Sequence, residues 1–222
     1  MPFLRLNFGR TPYLGLFCLV TDKVAIFPRH LKLDEREVEE KLGVPIIRGE
    51  VMGSSLLGVF LAGNSRCVVA PHLLAEEEEK NLKEGGVEVE RIEGKFTALG
   101  NLLLVNDKGG LASSALPEKM VEELSSALGV PIERGTISGL KTVGSAGVVT
   151  NRGALLHPDA TEEEIERIRE TLGVPVFTGT ACDGEKYVGM CVAANSKGFL
   201  TGKPTTGAEL GLIEKALYPT EG

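Results

Sequence analysis

Tryptophan and glutamine are missing altogether from the 222 residues, while histidine occurs three times, cysteine four times and aromatic side chains make up only 5%. The cysteines, Cys18, Cys67, Cys182 and Cys191, show no C-x-x-C spacing, which argues against a zinc knuckle and a disulfide framework. They are expected to be reduced, mostly buried thiols. No apolar run approaches the roughly 20 residues that span a bilayer, and no basic start followed by an apolar core and a cleavage site is present, so a soluble, cytoplasmic protein is expected. Basic residues are outnumbered 31 to 24, giving a net charge of −7. An affinity built on neutralising many phosphates is disfavoured by that balance, and with it a clamp around nucleic acid. Loss of thermolabile amides combined with abundant glutamate is a bias that accompanies adaptation to heat.

What the chain has in plenty is a regularly placed glycine. Gly15, Gly58, Gly100, Gly144 and Gly189 each follow Leu or Val, and they succeed one another in steps of 43, 42, 44 and 45 residues. Seven positions after each stands a turn former (Asp22, Ser65, Asp107, Asn151, Ser196), and the next residue is always basic: Lys23, Arg66, Lys108, Arg152, Lys197. A period of this length marks a repeat architecture.

Within the first copy, Leu14 to Val20 is almost uniformly apolar and reads as a strand covered on both faces. A turn at Thr21–Lys23 leads to a second strand, Val24 to Phe27, ended by Pro28 because proline cannot donate to a ladder. Asp34 to Leu42 is charged on most faces and acidic in its first turn, as a surface helix should be, and Gly43 stops it. Val44-Pro45-Ile46-Ile47 begins a closing strand, so each unit reads strand, strand, helix, strand. The third helix has Pro117 in its first turn, and the fourth opens with a capping box from Thr161 to Glu164.

The fifth copy reaches a helix near Thr206 to Leu210 and then ends without a closing strand. Its counterpart stands at the other terminus. Pro2-Phe3-Leu4-Arg5 matches Pro45-Ile46-Ile47-Arg48 and Pro131-Ile132-Glu133-Arg134, with the arginine about ten residues ahead of the marker glycine in each case. The expectation is an α+β fold: a five-bladed β/α propeller with pseudo-fivefold symmetry, closed by the N-terminal strand, a single domain over 1–222 built of five repeats of about 43 residues.

Candidate chemistry is sparse. His30, His72 and His157 follow the second strand at near-equivalent places in repeats one, two and four, which sets them on separate blades, and Cys18 and Cys191 lie inside apolar runs. The stretch Gly198 to Thr205 is one residue short of a phosphate loop and has proline after its lysine. Glu76–Glu79 and Glu162–Glu164 sit where helix dipoles favour acid and are read as solvated first turns. No catalytic residue, metal or cofactor is expected. The five basic turn residues would form a ring on one rim of the disc. The opposite ends of the first strands carry small or polar residues: Gly53-Ser54-Ser55, Thr97 with Asn101, and Thr142 with Gly144-Ser145.

Gly53-Ser54-Ser55-Leu56-Leu57-Gly58, Thr97-Ala98-Leu99-Gly100-Asn101, Asn106-Asp107-Lys108-Gly109, Thr142-Val143-Gly144-Ser145, Asn151-Arg152-Gly153 with His157-Pro158, and Thr205-Thr206-Gly207-Ala208-Glu209-Leu210 together resemble the archaeal translation initiation factor six family. The likeness covers essentially the whole chain. It implies a pentein fold of five pseudo-symmetric units and a non-enzymatic role: binding the intersubunit face of the large ribosomal subunit, mainly through a ribosomal protein near the sarcin-ricin loop, and blocking the small subunit. It also implies that Asn101, Val59, Ser145 and Ala146 face the ribosome. The strand-start rim of the repeat adds Gly58 and Thr97 to the expected contact set, and a monomer is expected. The alternative is a pentein-fold hydrolase or transferase acting on guanidino compounds, which would need a cysteine, a histidine and carboxylates to meet at the centre of the ring.

Overall fold

The computed structural model describes residues 3–220. Pro2, which opens the N-terminal strand motif, lies outside the described residues. Unit one comprises a 3-10 turn at Leu14–Leu16, β2 (Leu19–Val20), β3 (Ala25–Pro28), α1 (Glu35–Leu42) and β4 (Ile46–Gly49). Unit two has α2 (Leu57–Phe60), β5 (Ala62–Gly63), β6 (Val68–Pro71), α3 (Glu76–Glu84) and β7 (Val89–Ile92). Unit three has α4 (Leu99–Leu102), β8 (Leu103–Val105), β9 (Gly110–Ser113), α5 (Glu118–Leu128) and β10 (Ile132–Gly135). In unit four these places fall to α6 (Val143–Ala146), β11 (Gly147–Val149), β12 (Ala154–Leu156), α7 (Glu162–Leu172) and β13 (Val176–Thr178). Unit five has α8 (Val188–Cys191), β14 (Val192–Ala194), β15 (Phe199–Gly202) and α9 (Gly207–Leu217).

Each unit folds its strands into a three-stranded sheet in which the second strand is central, antiparallel to the first and parallel to the third. A tight turn joins the first pair, whereas the parallel partner needs the crossover helix. In the fifth sheet the third place is taken by β1 (Phe3–Leu6), parallel to β15 with Phe3 opposite Phe199 and Leu6 opposite Gly202. The shared arginine of the strand motif has the same job three times: Arg5 donates to Thr205 O, Arg48 to Leu31 O and Arg134 to Leu116 O, each carbonyl three residues beyond a central strand.

The uniformly apolar stretch at Leu14–Val20 is not one strand. It opens with a helical turn and only Leu19–Val20 pair, and the other units repeat this with a one-turn helix before a short strand. Close contact between units dictates the turn. A Cβ built on Gly58 would stand 1.8 Å from Gly15 O, on Gly100 2.1 Å from Gly58 O, on Gly144 2.0 Å from Gly100 O, on Gly189 2.1 Å from Gly144 O, and on Gly15 2.0 Å from Gly189 O. The five glycines thus touch backbone to backbone in a cycle, and no other residue type fits. They line a narrow axial cavity of about 110 Å³.

The apolar core lies between units rather than within them. One buried cluster joins Val24, Ile26 and Ile47 of unit one to Leu57, Val68 and Leu82 of unit two, and each of the other four likewise combines side chains from two adjacent units. Helices α1, α5 and α7 end as their sequences dictate, on Gly43, Gly129 and Gly173 in the left-handed region.

Candidate docking surface

The first strands run from the glycine turns at one end to the turns carrying the basic residues at the other, so the molecule has two distinct rims. At the glycine end, Glu78 accepts from the N–H groups of Met52, Gly53 and Ala75; Glu164 accepts from Ser138, Gly139 and Thr161; Glu209 accepts from Asp183, Gly184 and Thr206. Each glutamate is the N3 residue of its helix and also staples the loop that enters its unit, where Met52, Ser138, Cys182 and Asp183 adopt positive φ. Burial pushes these carboxyls up, but the backbone donors outweigh it and hold all three below the ordinary glutamate range. The acids at Glu78 and Glu164 are therefore not merely solvated first turns, as their position at a helix start suggests. They are half-buried structural clamps.

The side chain that follows each ring glycine is Leu16, Val59, Asn101, Ser145 or Met190, and all but Ser145 are partly exposed. This rim therefore presents apolar groups from units five, one and two beside the Asn101 amide, with Leu56 (36% exposed) adjoining Val59. Of the residues expected to meet a partner, Asn101, Val59, Gly58 and Thr97 are partly exposed on or beside the glycine turns. Ser145 is 7% exposed, and its Oγ donates to Asn101 Oδ1 at 3.1 Å. Ala146 is fully buried in the core shared by units three and four, so its methyl has no surface to offer and the expectation of a direct contact there is corrected.

At the opposite rim the basic residues are not a free ring. Lys197 Nζ donates to Gly43 O and Lys108 Nζ to Gly173 O, Arg66 lies against Gly129, and the Arg152 guanidinium stacks 5.4 Å from the Tyr218 ring. Each side chain sits at the C-terminus of the next unit's helix, where a cation complements the exposed carbonyls and the helix dipole. The residue two places earlier completes the joint. Asn64 Nδ2 donates to Asn106 O and Leu128 O, Asn106 Nδ2 to Thr150 O and Leu172 O, Thr150 Oγ1 to Leu217 O, and Asn195 Nδ2 to Thr21 O and Leu42 O. Sequence reasoning missed these residues, although a recurring Asn or Thr six places after every marker glycine is the signal that finds them. Only between units one and two is the joint absent among the described residues: the Thr21 hydroxyl donates locally to Val24 O, and Lys23 has no partner.

Among the described residues, no histidine bonds to a cysteine and no group of three or more potential metal ligands is assembled. His157 is buried, accepts from Asp159 N–H and meets Tyr187 edge-on, while His30 pairs with Glu50 at the surface. No described helix is long and apolar enough to cross a membrane.

Five α/β units that share their cores across their seams define a repeat protein with two unlike rims. The chain belongs to the eIF-6 family, whose sequence model matches residues 3–216. It is 49% identical over 220 residues to translation initiation factor 6 of Pyrococcus furiosus, covering 96% of this chain and 97% of that protein. The proteins of the same name from Methanocella arvoryzae and Archaeoglobus fulgidus are each 46% identical, over 214 and 208 residues, covering 96% and 94% of this chain and 96% of each relative.

Proposed function

We propose that this protein binds the intersubunit face of the large ribosomal subunit through its glycine-turn rim and so keeps the small subunit away, acting as a monomer in the cytoplasm and without catalysis. The observation that carries the reading is the asymmetry between the rims. Four of the five basic-rim side chains, all but Lys23, are committed to neighbouring helices, whereas Leu16, Val59, Met190 and Asn101 at the glycine rim are partly exposed beside glycines packed backbone to backbone. An apolar patch beside a polar amide is the composition of an interface core and its margin. A net charge of −7 suits a basic ribosomal protein near the sarcin-ricin loop better than bare RNA. The architecture that presents this rim is read as a pentein-type propeller, a single domain closed by the N-terminal strand; the register of β1 on β15 and the glycine cycle support it.

Co-sedimentation tests the function. The protein should pellet with purified large subunits and not with small ones, and adding it to large subunits should reduce the formation of joined ribosomes. Joining that proceeds undiminished with the factor bound would overturn the steric role.

A further inference from the structure

Each sheet turns one residue of its third strand toward the helix of the next unit, and the fivefold repeat allows those places to be compared. Leu4, Ile47, Glu90, Glu133 and Phe177 hold them, each opposite the second residue of its central strand. Four of these side chains are matched by the helix they face. Ile47 packs on Gly85 at the end of α3, Leu4 joins Val38 and Leu42 of α1, the Lys215 ammonium of α9 lies 5.5 Å from the Phe177 ring, and Glu133 accepts from Arg167 of α7 at 3.1 Å. Glu90 is the exception. It is exposed and, among the described residues, has no cation within ion-pair distance; Lys83 and Arg91 both pair with Glu79, Arg91 from the opposite face of β7.

The mismatch leaves a groove of about 510 Å³ between β7 and α5, on the outer wall where the third strands lie. Buried Cys67 and Ile92 form its floor, Glu88 and Glu90 one side, and Glu123 and Ser126 the other. Glu88 and Glu123 are likewise without a cationic partner among the described residues; Glu123 accepts from the Glu93 N–H at 3.2 Å. Arg66 stands at the basic-rim end, held against Gly129.

We propose that this groove receives an extended, lysine-bearing segment of a basic partner protein, a contact separate from the glycine rim. Charge selects the partner, because three carboxylates face the groove without compensation and would repel phosphates. Spacing selects the extended form. Glu88 and Glu90 lie two residues apart on one strand face, about 7 Å, which is also the distance between alternate side chains of an extended peptide. Lysines at every second position therefore meet successive carboxylates, while their methylene stems lie along Ala127 and the floor. A metal ion is the poorer match: the carboxylates are spread along both sides, and no group of three or more potential ligands is assembled among the described residues.

The test is an anisotropy titration of a short fluorescent peptide of alternating alanine and lysine with the full chain. Glu90→Ile, which copies unit one, should weaken binding about fivefold, and Glu88→Gln combined with Glu123→Gln about tenfold. Glu162→Gln combined with Glu163→Gln removes as much charge from the exposed first turn of α7 and should cost less than about twofold. Carbodiimide coupling of the peptide to the unsubstituted protein, followed by peptide mapping, should join its lysines to Glu88, Glu90 or Glu123. Absence of binding, equal losses in the two double variants, or couplings as frequent at Glu162 and Glu163 as in the groove would overturn the proposal. The coupling needs no variant, so it decides the matter even if Glu90→Ile does not fold.

Discussion

Ser145 Oγ donates a 3.1 Å hydrogen bond to Asn101 Oδ1, joining the one-turn helices α6 and α4 of adjacent units. The bond fixes the amide's orientation by occupying one of the two lone pairs of its oxygen. Asn101 Nδ2 has no hydrogen-bond partner among the described residues, and on the proposed docking surface it would serve an incoming acceptor. Asn101→Arg should therefore weaken binding to large subunits by on the order of 1–3 kcal/mol, the range for a central interface position. Ser145→Ala should cost less, about the 1 kcal/mol of one hydrogen bond, because Ser145 acts by orienting Asn101. Co-sedimentation titrations of the two folded variants would compare them, and unchanged binding by Asn101→Arg would remove this rim from the contact.

The helix-capping role of the basic residues makes a graded prediction about stability. Lys108→Ala, Arg152→Ala and Lys197→Ala should each lower stability by up to about 1 kcal/mol, or roughly 2–4 °C in Tm for a chain of this size. Lys23→Ala, at the seam without the joint, should leave Tm unchanged. Equal losses at all four positions in a thermal scan would show that the seams are alike.

Much of this was legible in the residues themselves. The repeat, the strand–strand–helix–strand order, the stops at Gly43, Gly129 and Gly173 and the arginine motif all depend on local signals that survive in one dimension. What was hidden depends on neighbouring units. An apolar run such as Leu14–Val20 carries no period, so the turn that Gly15 makes against Gly189 could not be distinguished from a strand. Glu164 reads as dipole compensation until the loop at Ser138 is seen folded over it, and Lys108 reads as a turn residue until Gly173 is brought beside it. Ser145 and Ala146 are expected at the surface through the family resemblance, yet both are buried, Ala146 in the core shared with unit three and Ser145 beside Asn101 of that unit.

Acid sensitivity should follow from the three glutamate clamps. Their carboxyls are held below the usual value in the folded state by backbone donors that overcome burial, while in the unfolded chain they titrate near the ordinary value of about 4.3. The stability they contribute is therefore complete above that ordinary value and is lost as pH falls through the lower folded value. Glu164→Gln should reduce stability at pH 7 and flatten its decline below about pH 4.5. Denaturant melts at pH 7, 4.5 and 3.5 would check this; a variant with the same acid limb as the parent would count against the clamp at that position.

Removal of residues 1–8 tests the place of β1. It takes away four ladder positions on β15, the Phe3 ring 5.4 Å from Phe199, and Phe8, which packs edge-on against Phe27. A loss of several kcal/mol is expected from the apolar burial alone. A truncated protein with the parent's Tm would show that β1 is dispensable.

The glycine cycle can be probed in both directions. Gly100→Ala would set a methyl 2.1 Å from Gly58 O, where only backbone can yield, and should destabilise by at least about 3 kcal/mol. Gly211→Ala, in the exposed middle of α9 with open space around it, should instead stabilise by up to about 1 kcal/mol. Thermal scans that moved both variants the same way would contradict the assignment.

Because those five glycines meet main chain against main chain, the width of the molecule at its axis is set by atoms that every residue possesses, and side chains have no say in it. Units can therefore diverge freely at their outer walls, as the unlike endings of α3 and α5 show, without changing how many of them fit around the centre. A sixth copy would have to part the glycines and open a pore; a lost copy would leave two of them without a neighbour. The number five is thus written at the innermost and least variable contact of the chain, and novelty is confined to the loops and faces farthest from it.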